Sequence, residues 1–340
     1  MKTITLGKTG ITTPQNAFGA LPIQRIGRDE AVRLLRQARD GGMTFFDTAR
    51  AYTDSEEKLG IAFEGCRKDL TIASKTMGRT PEEFWKQLHE SLRMLRTDYV
   101  DIYQLHCVDR CYAPGDGTGL YEALEEARRQ GKVRHIGITT HKVAVAEEIV
   151  ASGLYETLQF PFSYLASQRD VKLCQDCIRS GMGFIAMKGL SGGLLTNARA
   201  CMAFMSQYEA LPIWGIQREE ELRQWLSFFD AGSEMTPELE KVIREDRAAL
   251  QGEFCRGCGY CAPCTAGIII NQCARMSQMI RRSPSANWIS PEWQEEMFKI
   301  DGCVECGACK TRCPYQLDIP RLLRKNLADY RQILSGEVQI

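Results

Sequence analysis

Short apolar runs alternate with amphipathic stretches from residue 16 to about residue 230. The apolar runs lie at 16–22, 43–49, 70–76, 99–106, 133–141, 155–162, 182–190 and 210–216. Several are continuous rather than alternating, as in strands covered on both faces. Helical periodicity fills the gaps, at 28–41, 54–66, 81–96, 119–130, 142–152, 168–180, 197–208 and 218–230. Gly41, Gly131, Gly153 and Gly181 stand where several of these helices stop, the usual place for a C-terminal glycine. A small hairpin is expected before them, at 4–12. Eight strand–helix units about 27 residues apart predict an α/β fold of the (β/α)8 TIM-barrel type. A doubly wound open sheet would be expected to carry G-x-G-x-x-G after its first strand, and the sequence has none there.

The pattern changes after Asp230. Ala231-Gly232-Ser233 reads as a hinge. Thr236 is placed to cap, and Pro237 to begin, a charged helix running to about Gln251. Beyond Gly252 the chain is rich in cysteine, and it ends in a basic helix from Arg321. The domains expected are therefore 1–235, the barrel, and 236–340, a helical linker with a small cysteine-bearing domain.

Composition narrows the function classes. Hydrophobic residues make up 44% of the 340, enough for a packed core. Lysine plus arginine number 43, as do aspartate plus glutamate, so no net field draws the chain to nucleic acid or an anionic membrane. No window approaches the roughly 18 apolar residues of a spanning helix, and the first residues lack the apolar core of a signal peptide. A soluble, cytoplasmic protein is expected. Of 15 cysteines, nine fall between Cys255 and Cys313. Disulfides are unexpected in that compartment, so metal or cluster ligation is the better reading.

In a TIM barrel the functional residues sit where strands end. Asp47 ends the second expected strand, Tyr52 follows in a loop, Lys75 ends the third and His106 the fourth. Strands about 5 Å apart let these side chains converge. Their types suit carbonyl chemistry. A carbonyl taking up hydride develops alkoxide charge and needs a proton. A phenol, ordinarily near pKa 10, is a poor acid unless a cation lowers it. Lys75 is expected to be that cation, with Asp47 holding it and His106 orienting the carbonyl oxygen.

From about Thr5 to Asp230 the chain resembles the aldo-keto reductase family. The resemblance rests on L-G-K-T-G, F-D-T-A…Y…S-E-x-x-L-G, I-A-S-K-T, Y-Q-L-H and G-K-V-R-H-I-G-I-T-T-H. It implies that Asp47, Tyr52, Lys75 and His106 form the catalytic tetrad, with NADPH or NADH as hydride donor. For the cofactor it implies Thr139, where the family has serine, and Gln159 for the carboxamide. Met187 stands where the family stacks an aromatic ring, with Lys188 beside it, and Gly215 and Arg218 fall near the adenine end. Gln224-Trp225 replace the family's Glu-Asn pair, which leaves NAD versus NADP open. His141 is a further pocket candidate. His135 and His89 read as structural or surface residues, and Cys174 and Cys177 as helix packing. Cys107 and Cys111 flank the pocket.

Eight cysteines form two groups. The second, Cys303, Cys306, Cys309 and Cys313 with Pro314, fits C-x2-C-x2-C-x3-C-P in full, the ferredoxin run whose fourth cysteine serves the other cluster. The first, Cys255, Cys258, Cys261 and Cys264, is one residue short before its last member. The expected ligand sets for two 4Fe–4S clusters are Cys255, Cys258, Cys261 and Cys313, and Cys303, Cys306, Cys309 and Cys264. Zinc competes, but the third cysteine of each group is surplus to it. The region resembles a two-cluster ferredoxin module, and the tail of a ferredoxin-bearing aldo-keto reductase subgroup. A small α+β ferredoxin-like domain is thereby implied.

A nicotinamide delivers two electrons as hydride, whereas a 4Fe–4S cluster moves one. Three readings follow. The first is a reductase of small-molecule carbonyls with structural or redox-sensing clusters. The second is an iron–sulfur enzyme passing electrons between a redox partner protein and a substrate or flavin in the barrel. The third is an electron-transfer protein with an idle barrel. Substrate identity, reaction direction and oligomeric state are not written in the sequence.

Overall fold

The structure is a computed structural model that describes residues 1–232, 234–250, 254–282, 285–313 and 315–338. Ser233 of the expected hinge, the expected helix end at Gln251, and Pro314 lie outside the described residues. The chain divides into two compact units: Met1–Gly189 with Ala198–Thr236, and Leu190–Asn197 with Pro237–Ile340.

In the first unit, strands β1 (Thr3–Thr5) and β2 (Thr12–Pro14) pair antiparallel. The eight strands that follow are β3 (Ala17–Gly19), β4 (Phe45–Asp47), β5 (Thr71–Thr76), β6 (Val100–Leu105), β7 (Val133–Thr139), β8 (Thr157–Pro161), β9 (Gly183–Met187) and β10 (Ala210–Gly215). They close into a barrel in the order β10-β3-β4-β5-β6-β7-β8-β9, every pair parallel. The helices between them are α1 (Arg28–Asp40), α2 (Ser55–Ala62), α3 (Pro81–Leu95), α4 (Leu120–Arg129), α5 (Val143–Ser152), α6 (Gln168–Arg179), α7 (Ala198–Met205) and α8 (Glu219–Ala231). The helix starts follow local chemistry. Thr80 accepts a bond from the Glu83 amide ahead of Pro81, and Ser167 and Asp170 form a reciprocal capping box on α6.

The first two barrel strands are shorter than the apolar runs that encode them. Beyond Gly19 the chain turns into a 3-10 segment at Pro22–Arg25, because proline has no amide to give a ladder. Side-chain alternation then layers the interior. Phe45, Ala73 and Ile102 belong to a buried cluster with Ile4, Leu6 and Ile185. Two residues further along their strands, Asp47, Lys75 and Gln104 are buried one step nearer the C-terminal mouth.

The second unit holds α9 (Pro237–Ala249), α10 (Ile270–Cys273), α11 (Met276–Arg282), α12 (Pro291–Phe298), α13 (Ala308–Arg312) and α14 (Ile319–Leu334). Its core gathers Cys273, Met276, Ile280, Met297, Ile300, Leu323, Leu327 and Tyr330. Among the described residues its regular elements are all helical, so the strands of an α+β domain are not seen there. The cysteine loops instead turn repeatedly through positive φ at Gly257, Gly259 and Gly307, a conformation that interrupts a ladder and suits glycine. Among the described residues, no helix is long and apolar enough to cross a membrane.

Candidate active site and cysteine centres

Four side chains meet at the barrel mouth. Lys75 Nζ donates to Asp47 Oδ2 at 2.7 Å and to the Thr48 carbonyl at 2.6 Å. Both side chains are almost wholly buried. The same ammonium stands 5.0 Å from the centre of the Tyr52 ring, and the His106 ring meets Tyr52 edge-on at 5.7 Å. Register explains the convergence: Asp47 lies opposite Ala73 and Lys75 opposite Gln104 on adjacent strands.

Burial works against every charge here. It raises the Asp47 carboxyl, and Lys75 and then Gln159 oppose that rise. It holds His106 well below the ordinary imidazole value, helped by the Lys75 charge, so the ring is neutral. The Tyr52 phenol, half-buried, is raised well above its ordinary value, first by loss of solvent and then by Asp47 and Cys107. This corrects the expectation that Lys75 makes the phenol acidic. With Asp47 at 2.7 Å, the ammonium field is largely spent on the carboxylate, and desolvation decides the direction.

The expected cofactor residues fall in two sets. Gln159 is buried and accepts from Gln104 Nε2 at 2.9 Å. Thr139 is buried, and its hydroxyl accepts from the Cys107 amide at 2.8 Å. Met187 packs half-buried against the barrel interior. Lys188 takes a left-handed φ of 58°, and its charge presses on the buried His141, whose imidazole is depressed to about 3, mainly by burial. Gly215 pairs with Gly19 at the strand end. Arg218 is largely exposed and paired with Glu221 at 2.6 Å. Of the remaining histidines, His135 is bonded to Glu156 at 2.8 Å, and His89 packs on Trp85.

Two residues of this layer escaped the sequence reading. Gln104 is two positions before His106 and faces the same interior, a polar residue in an apolar strand. Arg79 Nη2 donates to the His106 carbonyl at 2.6 Å, tying the loop after β5 to the end of β6.

The cysteines gather in the second unit. Cys255 is electrostatically close to Cys258 and Cys313, and Cys261 to all three. Cys303 neighbours Cys264 and Cys306, and Cys309 neighbours Cys303 and Cys306. Cys264, Cys303, Cys306 and Cys309 line one cavity. The two gatherings differ in exposure: Cys255 and Cys261 are buried, whereas Cys306 is exposed. Burial pushes the Cys261 thiol up to about 12. Among the described residues, no three or more His, Cys, Asp or Glu side chains are set to hold a single metal ion. Cys174 and Cys177 are buried in the packing of α6.

The model of the aldo/keto reductase family matches residues 4–242. The chain belongs to that family. A 4Fe-4S dicluster domain matches residues 254–318 of this aldo/keto reductase. It is 32% identical over 214 residues to L-galactose dehydrogenase of Arabidopsis thaliana, covering 56% of this chain and 66% of that protein. It is 35% identical over 144 residues to methylglyoxal reductase DkgB of Salmonella typhimurium, covering 40% of this chain and 52% of that one. The chain thus spans between about half and two thirds of these curated relatives. Two solved structures share its fold. An aldo-keto reductase from Bacillus halodurans, in its holo form, superposes with a TM-score of 0.62 at 19% identity, covering 72% of this chain and 96% of the other. One from Klebsiella pneumoniae in complex with NADPH also gives 0.62, at 23% identity and 72% and 95% coverage.

Proposed function

We propose that the barrel interconverts an aldehyde or ketone and its alcohol with NADPH or NADH, and that the second unit carries two 4Fe–4S clusters. The observation that carries the first half is the buried Lys75–Asp47 pair beneath Tyr52, with a neutral His106 ring on the tyrosine edge. The family match supports it.

The residues fit a nicotinamide. The Gln159 amide and the Thr139 hydroxyl offer polar contacts to its carboxamide, and Met187 offers a polarizable face to its ring. Lys188, Gly215 and Arg218 would serve the phosphate and adenine end. The bound cofactor supplies hydride. Tyr52 stays protonated across the neutral range, because its phenol lies well above the ordinary value. It gives up its proton only as an alkoxide, a stronger base, forms at the carbonyl carbon's oxygen. The Lys75 ammonium then faces the phenolate that remains. His106 donates a hydrogen bond to the same oxygen and sets its position. In the alcohol-oxidising direction Tyr52 must first lose its proton, so that direction is favoured by alkaline conditions.

The cysteine sets fit clusters by donor chemistry. Cys255, Cys258, Cys261 and Cys313 would hold one, and Cys264, Cys303, Cys306 and Cys309 the other. The test is to mix anaerobically purified protein with NADPH or NADH and a panel of small carbonyls. Carbonyl-dependent cofactor oxidation without cluster bleaching is expected. Bleaching on cofactor addition alone would instead favour electron passage through the clusters to a partner or flavin. If neither is seen, the reading of an idle barrel remains.

A further inference from the structure

Among the described residues, a buried cation in the second unit has no anionic side chain to answer it except thiols. Arg275 is 5% exposed. Its Nη1 donates to the Gly192 carbonyl at 2.9 Å and its Nη2 to Gln272 Oε1 at 3.1 Å. Its Nε has no hydrogen-bond partner, and no carboxylate pairs with it among the described residues. A permanently charged group withdrawn from water is costly unless an opposite charge meets it. The fold nonetheless makes room for this one. A Cβ on Gly257 would lie 2.7 Å from Nη1, and one on Gly192 would lie 2.5 Å from it. Both glycines take positive φ. Gly257 stands between Cys255 and Cys258 in sequence, and its amide donates to Cys255 Sγ at 3.4 Å. The guanidinium is thus packed onto the backbone of the loop that bears these thiols.

We propose that Arg275 is the built-in counter-charge of the iron–sulfur centre held by Cys255, Cys258, Cys261 and Cys313, and that it stabilises that centre's reduced state. The inference rests on the reading of these cysteines as cluster ligands. Each electron taken up makes such a centre more negative by one charge. A fixed cation beside it, in a medium of low dielectric, therefore favours uptake. The other cysteine group has a different setting. Arg324 is exposed and paired with Glu305, and Arg312, which lines that group's cavity, is exposed and donates to the Pro263 carbonyl, so water screens both.

The test is a mediated redox titration of the full-length protein, prepared without oxygen and followed by electron paramagnetic resonance. Iron and sulfide content are measured alongside. Arg275→Gln is expected to weaken electron uptake at one of the two centres about tenfold or more, a shift of about 59 mV for one electron. The other centre should move much less. Arg275→Lys, which keeps the charge, should restore most of the wild-type value. Loss of the centre in the Gln variant with retention in the Lys variant also meets the expectation. Equal potentials in all three proteins, or equal shifts or equal loss in both variants, would overturn the role, since packing alone would then account for Arg275. Wild-type protein without iron would sink the underlying cluster reading instead.

Discussion

Lys75 and Arg275 are both cations almost shut off from water, and their surroundings treat them in opposite ways. Lys75 has a carboxylate at 2.7 Å and a carbonyl at 2.6 Å, so the barrel mouth is electrically closed by its own side chains. Among the described residues, Arg275 has only carbonyl-type acceptors and the neighbouring Cys255 and Cys258. Around it, burial pushes Cys255 and Cys261 toward the neutral thiol. One site is preassembled by the polypeptide. On the proposed reading, the other is completed only when an iron–sulfur core turns its thiols into thiolates, whose net negative charge meets the arginine.

The broadest way to break this contrast is to take the iron away. Chelation without oxygen should abolish the cooperative unfolding of the second unit, because metal binding there is folding free energy. The barrel's own thermal transition should move by less than about 4 °C, equivalent to about 1 kcal/mol. Scanning calorimetry with iron analysis would show it, and a barrel that melts along with the second unit would end the contrast. Next in size is Lys75→Met, which strands Asp47 as a buried uncompensated charge. A loss of about 3–5 kcal/mol is expected, most of it recovered in the double variant with Asp47→Leu. Denaturant titration of both proteins checks it.

Acid should reach the barrel through its histidines. His141 is held to about 3 and His106 is also depressed, so the folded state refuses protons that the unfolded chain takes up below about pH 6.5. Stability is therefore full above that pH and falls as pH drops toward about 3 for His141, by up to about 1.4 kcal/mol per unit for each ring. Unfolding free energies at pH 7, 6 and 5 measure the slope, and His141→Asn should flatten it. Smaller again is Asn326→Ala in the second unit. Its side chain accepts from the Ser277 amide and donates to the Ala274 and Leu322 carbonyls. About 1–3 kcal/mol should be lost there, with carbonyl turnover unchanged. Smallest is Arg218→Ala: the Glu221 pair is exposed, so stability should change by less than about 1 kcal/mol, while the KM for NADPH is the quantity to watch.

The eight barrel strands were legible because each is an apolar run closed by polar residues, and the observed strands fall inside the expected ones. Their ends were less so. Residues 20–22 are as apolar as a strand, but Pro22 takes them out of the ladder. The grouping of Leu190–Asn197 with the second unit could not be read at all, since in sequence those residues are the connection between a barrel strand and the next barrel helix. Residue types announced the four at the mouth, but not the sign of the Tyr52 shift. That sign depends on how much of the Lys75 field the Asp47 carboxylate absorbs and how little water reaches the phenol, both properties of packing. Gln104 and Arg275 were hidden for a related reason. A polar residue in an apolar strand or a short helix reads as surface until its burial is known.

The most direct test of the barrel's chemistry is the turnover of Tyr52→Phe with cofactor and carbonyl, on protein whose iron content and thermal transitions match the wild type. Carbonyl-dependent NADPH or NADH oxidation should fall by at least about 100-fold, the scale of a lost general acid, with cofactor binding retained. Turnover at the wild-type rate would contradict Tyr52 as the proton donor.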